Sequence, residues 1–184
     1  MEQNSLALSY LLGAFLVVNL LHLYLIISQR DARKGAISYY ALKSRQTYWL
    51  FLTGHIVGAW FFYRFAELFF LQTYGLKVAY WFAVIGVTAE IVQAIIPAQG
   101  AAEKYHRLVA YIVAWTTVGM GFVCSLGLPL TTSVRVAGYT LVAIVVLLMA
   151  SANVFVKPKH FWILQMVAIL VFYAQMFLMV YTAR

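Results

Sequence analysis

Apolar residues fill six stretches of this chain, each about as long as a helix that crosses a bilayer. They run over Ser5–Ser28, Tyr48–Leu71, Val78–Ile96, Leu108–Leu128, Arg135–Val156 and Phe161–Tyr181. The breaks fall at Gln29 to Gly35, Tyr74-Gly75, Pro97 to Gly100, Pro129 and Lys157-Pro158-Lys159, where turn-formers and charge stop a helix. The pattern predicts an all-α polytopic membrane protein, a six-transmembrane-helix bundle in which residues 1–184 form one transmembrane domain. The first run is too long for a signal-peptide core and has no small-residue cleavage site after it, so it is expected to stay as a helix. Part of the longest connection, Ala36–Arg45, is expected to form a short interfacial helix.

Polar residues inside these runs follow helical spacing. Span three carries Ala79, Ala83, Gly86, Glu90 and Gln93; span four carries Ala110, Ala114, Thr117, Gly121 and Cys124, with His106 on the same line. Span six carries Gln165, Ala168, Phe172, Gln175 and Met179. Each set lies on one helix face, and its small members let helices approach closely in lipid. Gly54 and Gly58 form a GxxxG pair in span two and predict a tight contact.

Composition agrees with a membrane setting. The chain is 65% hydrophobic and 10% charged, against about a quarter charged in a soluble domain, and its mean hydropathy is +0.88. A net charge of +8 would suggest nucleic acid in a soluble protein. Here the basic residues cluster in the connections between apolar runs, so they read as topology determinants and nucleic acid is excluded as a partner. Nine Lys and Arg follow spans one, three and five, whereas the other side has Lys77, Arg135 and Arg184. The positive-inside rule then puts both termini outside, in a cell membrane such as the bacterial inner membrane. A single cysteine, Cys124, rules out a disulfide framework.

Candidate chemistry sits at one depth. His22 lies six residues before Ser28, His55 seven after Tyr48, and Glu90 seven before Pro97. At about 1.5 Å per residue, all three are roughly 10 Å inside the cytoplasmic boundary. Asn19 and Gln93 stand one turn from His22 and Glu90; Asn153, His106, His160 and Gln165 lie closer to the cytoplasmic surface. Ionisable groups at that depth are costly and mark functional sites by default.

Several readings stay open. His22, His55, Glu90, Gln93, Asn19 and His106 could form a protonatable pocket for a small or amphipathic ligand, in a carrier-like or sensor protein. Phe51, Phe62 and Trp60 would then be its apolar walls. His22, His55 and Glu90 could instead ligate a divalent metal in a membrane enzyme, or His22 and His55 a b-type haem. An interhelical hydrogen-bond cluster that only fixes helix register, in an accessory subunit of a larger membrane complex, explains the same residues. Membrane lipids and membrane protein partners are the expected company. Arg64 and Glu67, three apart, are expected to pair near the outer end of span two, on the face opposite His55.

The chain has no glycine-rich phosphate loop, GxSxG, DGxxAR or mid-membrane lysine for retinal. Span three ending in Ile95-Ile96-Pro97, a short polar connection and then His106-Arg-Leu-Val-Ala110 opening span four form an arrangement of about thirty residues. It resembles the six-helix membrane proteins of the damage-regulated autophagy modulator superfamily and their prokaryotic relatives. The resemblance makes Pro97 and His106 the shared positions and implies a small polytopic protein linked to lipid or membrane signalling.

The charge asymmetry yields a direct test of orientation. A cysteine placed within 29–47 should escape an impermeant thiol reagent added from outside, and one at the C-terminus should react. The opposite pattern reverses the orientation.

Overall fold

The computed structural model describes residues 2–28, 36–154 and 161–183, and every regular element among them is helical. The order is α1 (Glu2–Ser28), α2 (Ile37–Ala41), α3 (Arg45–Ala66), a π-helix (Glu67–Thr73), α4 (Lys77–Ile95), a 3-10 turn (Gly100–Ala102), α5 (Glu103–Gly127), α6 (Thr132–Val154) and α7 (Phe161–Thr182). Among the described residues, five helical stretches are long and apolar enough to cross a membrane: Gln3–Ser28, Lys77–Ile95, Gly100–Gly127, Thr132–Ser151 and Phe161–Thr182. The chain is therefore a multi-pass membrane protein. Arg30, Arg33, Lys34, Lys157, Pro158, Lys159, His160 and Arg184 lie outside the described residues, as does the side chain of Asn153.

The second apolar run departs from expectation. It divides into α3 and the π-helix, and α3 is not among the five stretches, because His55, Arg64 and several Tyr and Trp dilute its apolar residues. The π turn is closed by Thr73, whose hydroxyl donates to Leu68 O five residues back at 2.8 Å. It carries three consecutive buried residues, Leu68, Phe69 and Phe70, into the core. Gly75 ends it at φ +64°, a left-handed conformation that favours glycine.

Contacts between helix ends set the direction of each helix. Tyr48 Oη donates to Ile95 O at 3.3 Å, so the start of α3 meets the end of α4. The Arg64 guanidinium lies over the Tyr10 ring, so the end of α3 meets the first half of α1. Tyr74 Oη donates to Ala183 O at 3.1 Å, which brings the tail of α7 to the π-helix. At the other end Ile37 N donates to Gln165 Oε1 at 2.9 Å and fastens α2 to the start of α7. The long helices thus alternate in direction between a π end and an α2 end.

Chain neighbours pack side by side, and α7 returns to α1 through Phe15, which meets Tyr173 and Phe177 edge-on. α6 is outermost: 11% of its apolar window is buried, against 28% or more in the other four stretches.

The short helix expected within Ala36–Arg45 is α2, and it is tucked into the bundle rather than spread on it: Ile37, Ser38, Tyr40 and Ala41 are buried. Burial first, then the hydrogen bond and charge of Glu103, raise the Tyr39 phenol above its ordinary value, with Arg107 opposing. Tyr39 therefore ties α2 to the first turn of α5. Ser44 caps α3: its hydroxyl accepts from Thr47 N at 3.0 Å, and Thr47 Oγ1 accepts from Ser44 N at 3.1 Å.

α1 and α3 meet along the GxxxG face. A Cβ on Gly54 would stand 2.6 Å from Leu21 Cδ2, and one on Gly58 would stand 2.7 Å from Val18 Cγ2. Only glycine lets the two backbones come this close. Gly58→Ala should therefore destabilise the bundle by about 1–3 kcal/mol, because Val18 is stiff at χ1 and cannot turn aside. Thermal unfolding in lipid nanodiscs measures the loss. Adding Val18→Ala should recover much of it; no recovery would show that the seam is not the cause.

Candidate functional site

The α1–α3 seam carries the first two candidate residues and α4 the third. His22 and His55 are both buried, and their Nε2 atoms are 3.3 Å apart. Glu90 Oε1 lies 3.9 Å from His55 Nε2, with the carboxylate side chain 25% exposed. The three residues therefore form a line: His22, His55, Glu90. Phe51 stacks beside both imidazoles, with its ring centroid 4.0 Å from that of His55 and 6.4 Å from that of His22.

Hydrogen-bond chemistry assigns the protons. His55 Nδ1 lies 2.8 Å from Phe51 O, and a carbonyl only accepts, so Nδ1 carries the hydrogen. In neutral His55 the Nε2 is then an acceptor, which makes His22 Nε2 the donor across the 3.3 Å contact. His22 Nδ1 is left as a bare lone pair, buried and without a hydrogen-bond partner. The pair is thus satisfied at one end and open at the other.

The remaining candidates go elsewhere. Asn19 donates to Phe15 O of its own helix at 2.8 Å, and its Oδ1 is buried without a partner. Gln93 meets His106: its Nε2 lies 3.4 Å from His106 Nε2. His106 Nδ1 donates in turn to Ile96 O at 2.8 Å. Proline explains that bond: Pro97 forces Ile96 out of the helix (ψ 120°), freeing a carbonyl that α4 no longer uses.

Gln93 and His106 line a small cavity at the α2 end together with Ser38, Tyr48, Phe51 and Ala94. Its volume is about 10 Å³, room for about one water. This cavity lies one layer nearer the α2 end than His22, His55 and Glu90, and of the expected set it is lined by Gln93 and His106. The expected walls also change. Phe51 lines the cavity, Phe62 belongs to the central core against Phe172, and Trp60 is 52% exposed. Trp60 points outward because it shares a face with other exposed residues, Ile56 and Val57 among them.

Metal and haem fit the residues poorly. Among the described residues no group of three or more His, Cys, Asp and Glu could hold a metal ion. Trans axial imidazoles on one iron stand roughly 4 Å apart, twice a metal–nitrogen bond, with a porphyrin plane between them. Here the two imidazoles touch.

A second polar cluster lies toward the π end and did not enter the expected site. Gln175 Nε2 lies within hydrogen-bond distance of Gly138 O (3.1 Å), Gly121 O (3.2 Å) and Ser125 Oγ (3.4 Å). Gln175 stood out in sequence only as one member of a stripe. Its partners are mostly backbone carbonyls opened by glycine, which leave no polar signature in the sequence. Arg64 and Glu67 pair as expected, apart from the imidazoles.

No family model, curated protein or solved structure matches this chain.

The pairing of His22 with His55 is measurable. Either His→Ala change strands a buried partner, a cost of about 1–3 kcal/mol. The double variant should lose less than the sum of the two, with a coupling of about 0.5–2 kcal/mol in a double-mutant cycle. Additive losses would mean that the imidazoles do not interact.

Proposed function

We propose that this protein is a proton-responsive integral membrane protein, a sensor or proton-coupled carrier, whose binding site is the His22–His55–Glu90 line. One observation carries the reading: two buried imidazoles in direct nitrogen contact, 3.3 Å apart, with a carboxylate 3.9 Å from one of them. Such a line has room for one exchangeable proton. Glu90 holds it as a carboxylic acid, or hands it to His55 Nε2 and faces the resulting imidazolium as a carboxylate. In the second state His55 Nε2 no longer accepts from His22, so the contact that joins α1 to α3 must rearrange. Protonation is thereby coupled to helix packing.

Ligand size favours a proton over an organic molecule. Drug-sized ligands fill pockets of roughly 300 Å³ or more, and the cavity beside the site is about 10 Å³. The proton is therefore the ligand this reading adopts, ahead of the small or amphipathic molecule expected from sequence.

In this reading α3 is a sixth span. Its 22 residues reach about 33 Å, and its ends meet partners at both ends of the bundle. The excess of basic residues supports both termini outside and the α2 end in the cytoplasm. Lipid then covers the exposed apolar residues of the outer helix faces. The resemblance carried by Pro97 and His106 supports a signalling role over bulk transport.

Proton binding by the protein in lipid nanodiscs tests the reading. Between roughly pH 8 and pH 4, the wild type should take up about one proton that Glu90→Gln does not. His22→Gln with His55→Gln should move the midpoint of that uptake. Identical titration of all three proteins would overturn the proposal, as would a stoichiometric metal lost in His55→Ala.

A further inference from the structure

α1 carries two orphaned acceptors one turn apart. Asn19 Oδ1 and His22 Nδ1 are both buried without a hydrogen-bond partner, and they stand three residues apart, the spacing at which side chains on one helix face meet. The other unpaired atoms of this kind among the described residues, Asn4 Oδ1, Ser38 Oγ and Arg135 Nε, lie on separate turns or helices. Helical side chains lean toward the N-terminus, so the His22 ring leans over the turn that carries Asn19. Neighbouring bonds fix the identity of both atoms. Asn19 Nδ2 donates to Phe15 O at 2.8 Å, and a carbonyl only accepts, so the free atom of the amide is its oxygen. His22 Nε2 gives its hydrogen to His55, which leaves bare Nδ1, the ring nitrogen nearer the α1 backbone. Two lone pairs cannot bond each other. They are one proton short of a hydrogen bond.

We propose that the proton taken up by the His22–His55–Glu90 line comes to rest on His22 Nδ1, and that Asn19 is the positioning residue that receives its hydrogen bond there. The inference rests on the proton reading and names where the proton is kept. With Nδ1 protonated, His22 donates from both nitrogens, to Asn19 Oδ1 on α1 and to His55 Nε2 on α3. His55 stays neutral, with its own hydrogen on Phe51 O, and Glu90 stays a carboxylate. Every nitrogen of the pair then has a partner, and Asn19 keeps its bond to Phe15 O. A proton left on His55 Nε2 would instead set two N–H donors against each other across the 3.3 Å contact. The transfer balances in two steps. The Glu90 carboxyl O–H breaks as N–H forms on His55 Nε2; the pair opens, that N–H breaks, and N–H forms on His22 Nδ1. Among the described residues, the titratable groups around His22 are His55 of α3 with Glu90 of α4 behind it, Tyr40 of α2 and Tyr173 of α7. Tyr40 shares a buried cluster with Leu21 and Leu25, and Tyr173 packs on Phe15, while Tyr24 of α1 itself is half exposed. The π-helix offers only Glu67, which Arg64 holds at the other end of the bundle. Glu90 is thus the counter-ion of the His22 imidazolium, with neutral His55 between them.

Nitrogen NMR of histidine-labelled protein in lipid nanodiscs reads the resting place, because ring nitrogens with and without a hydrogen give separate signals. As pH falls through the uptake, His22 should pass from one protonated nitrogen to two, while His55 keeps one. Glu90 should show no carboxylic acid band in the infrared. Asn19→Leu, which removes the acceptor, should move the His22 transition to lower pH by about one unit, roughly a tenfold loss of proton affinity. Asn19→Asp, which keeps an acceptor oxygen and adds negative charge, should move it to higher pH. Because Asn19 stabilises the protonated form, Asn19→Leu should lower the melting temperature at about pH 5 and leave it nearly unchanged at about pH 8. Three results would each overturn the inference while the proton reading stands: a His22 that stays singly protonated through the uptake, an unmoved transition in Asn19→Leu, or equal loss of stability at both pH values. If Asn19→Leu does not fold, the wild-type spectra and Asn19→Asp decide the same question. A wild type that takes up no Glu90-dependent proton would instead overturn the proton reading itself.

Discussion

The distance between α1 and α3 governs what this bundle can do. Gly54 and Gly58 remove the side chains that would hold the two helices apart, and Leu21 and Val18 settle into the space. Imidazoles are short. They reach each other across a helix pair only when the backbones approach this closely, and the 3.3 Å contact between His22 and His55 follows from the glycine seam. α4 then lies against α3 on its other side and sets Glu90 near the second imidazole. A packing device and a chemical site are thus one feature, and a change in either is felt in the other.

The membrane explains why so few polar groups are arranged so carefully. Without water in the hydrocarbon region, a side-chain donor or acceptor must find its partner inside the protein. Much of the chain obeys this by local means, with Ser and Thr hydroxyls donating to carbonyls one turn back, as Thr88 does to Val84 O and Thr116 to Ile112 O. Gln175 obeys it across three helices, drawing α5, α6 and α7 together through carbonyls and one hydroxyl. The exceptions stand out against this background. Five side-chain atoms among the described residues are buried and unpaired: Asn4 Oδ1, Asn19 Oδ1, His22 Nδ1, Ser38 Oγ and Arg135 Nε, and of these His22 Nδ1 belongs to the imidazole pair itself.

Much of this was legible in the sequence, for definite reasons. Counting residues from helix ends put His22, His55 and Glu90 at one depth, because helical rise is constant and the ends were marked by Pro97, Tyr48 and Ser28. Depth alone does not give azimuth. Gln93 and Glu90 share a helix face, yet Gln93 turns to His106, since the carbonyl freed before Pro97 draws His106 in and presents its second nitrogen. The face of α5 was read slightly off as well. Thr116 and Met120 are buried with Gly121 and Cys124, whereas Thr117 is only half-buried, a rotation that depends on neighbouring helices absent from any periodicity count. The split of the second run into α-helix and π-helix left no hydropathy trace, because both parts are rich in phenylalanine.

That π turn bears on how the chain can change in length. A turn closed by bonds to the fifth residue back holds one residue more than the α-helix needs. Here the extra residue sits where Leu68, Phe69 and Phe70 all enter the core in succession, and Gly75 closes the element immediately after. Removing a single residue from 67–73 would restore ordinary winding, but it would swing one phenylalanine out toward lipid and shorten the reach to Tyr74, which latches onto Ala183. Adding or removing a residue in the exposed connection at Thr131, between α5 and α6, would disturb far less. Insertions and deletions are thus expected to be unevenly tolerated along the chain, with this turn acting as a fixed point in its length.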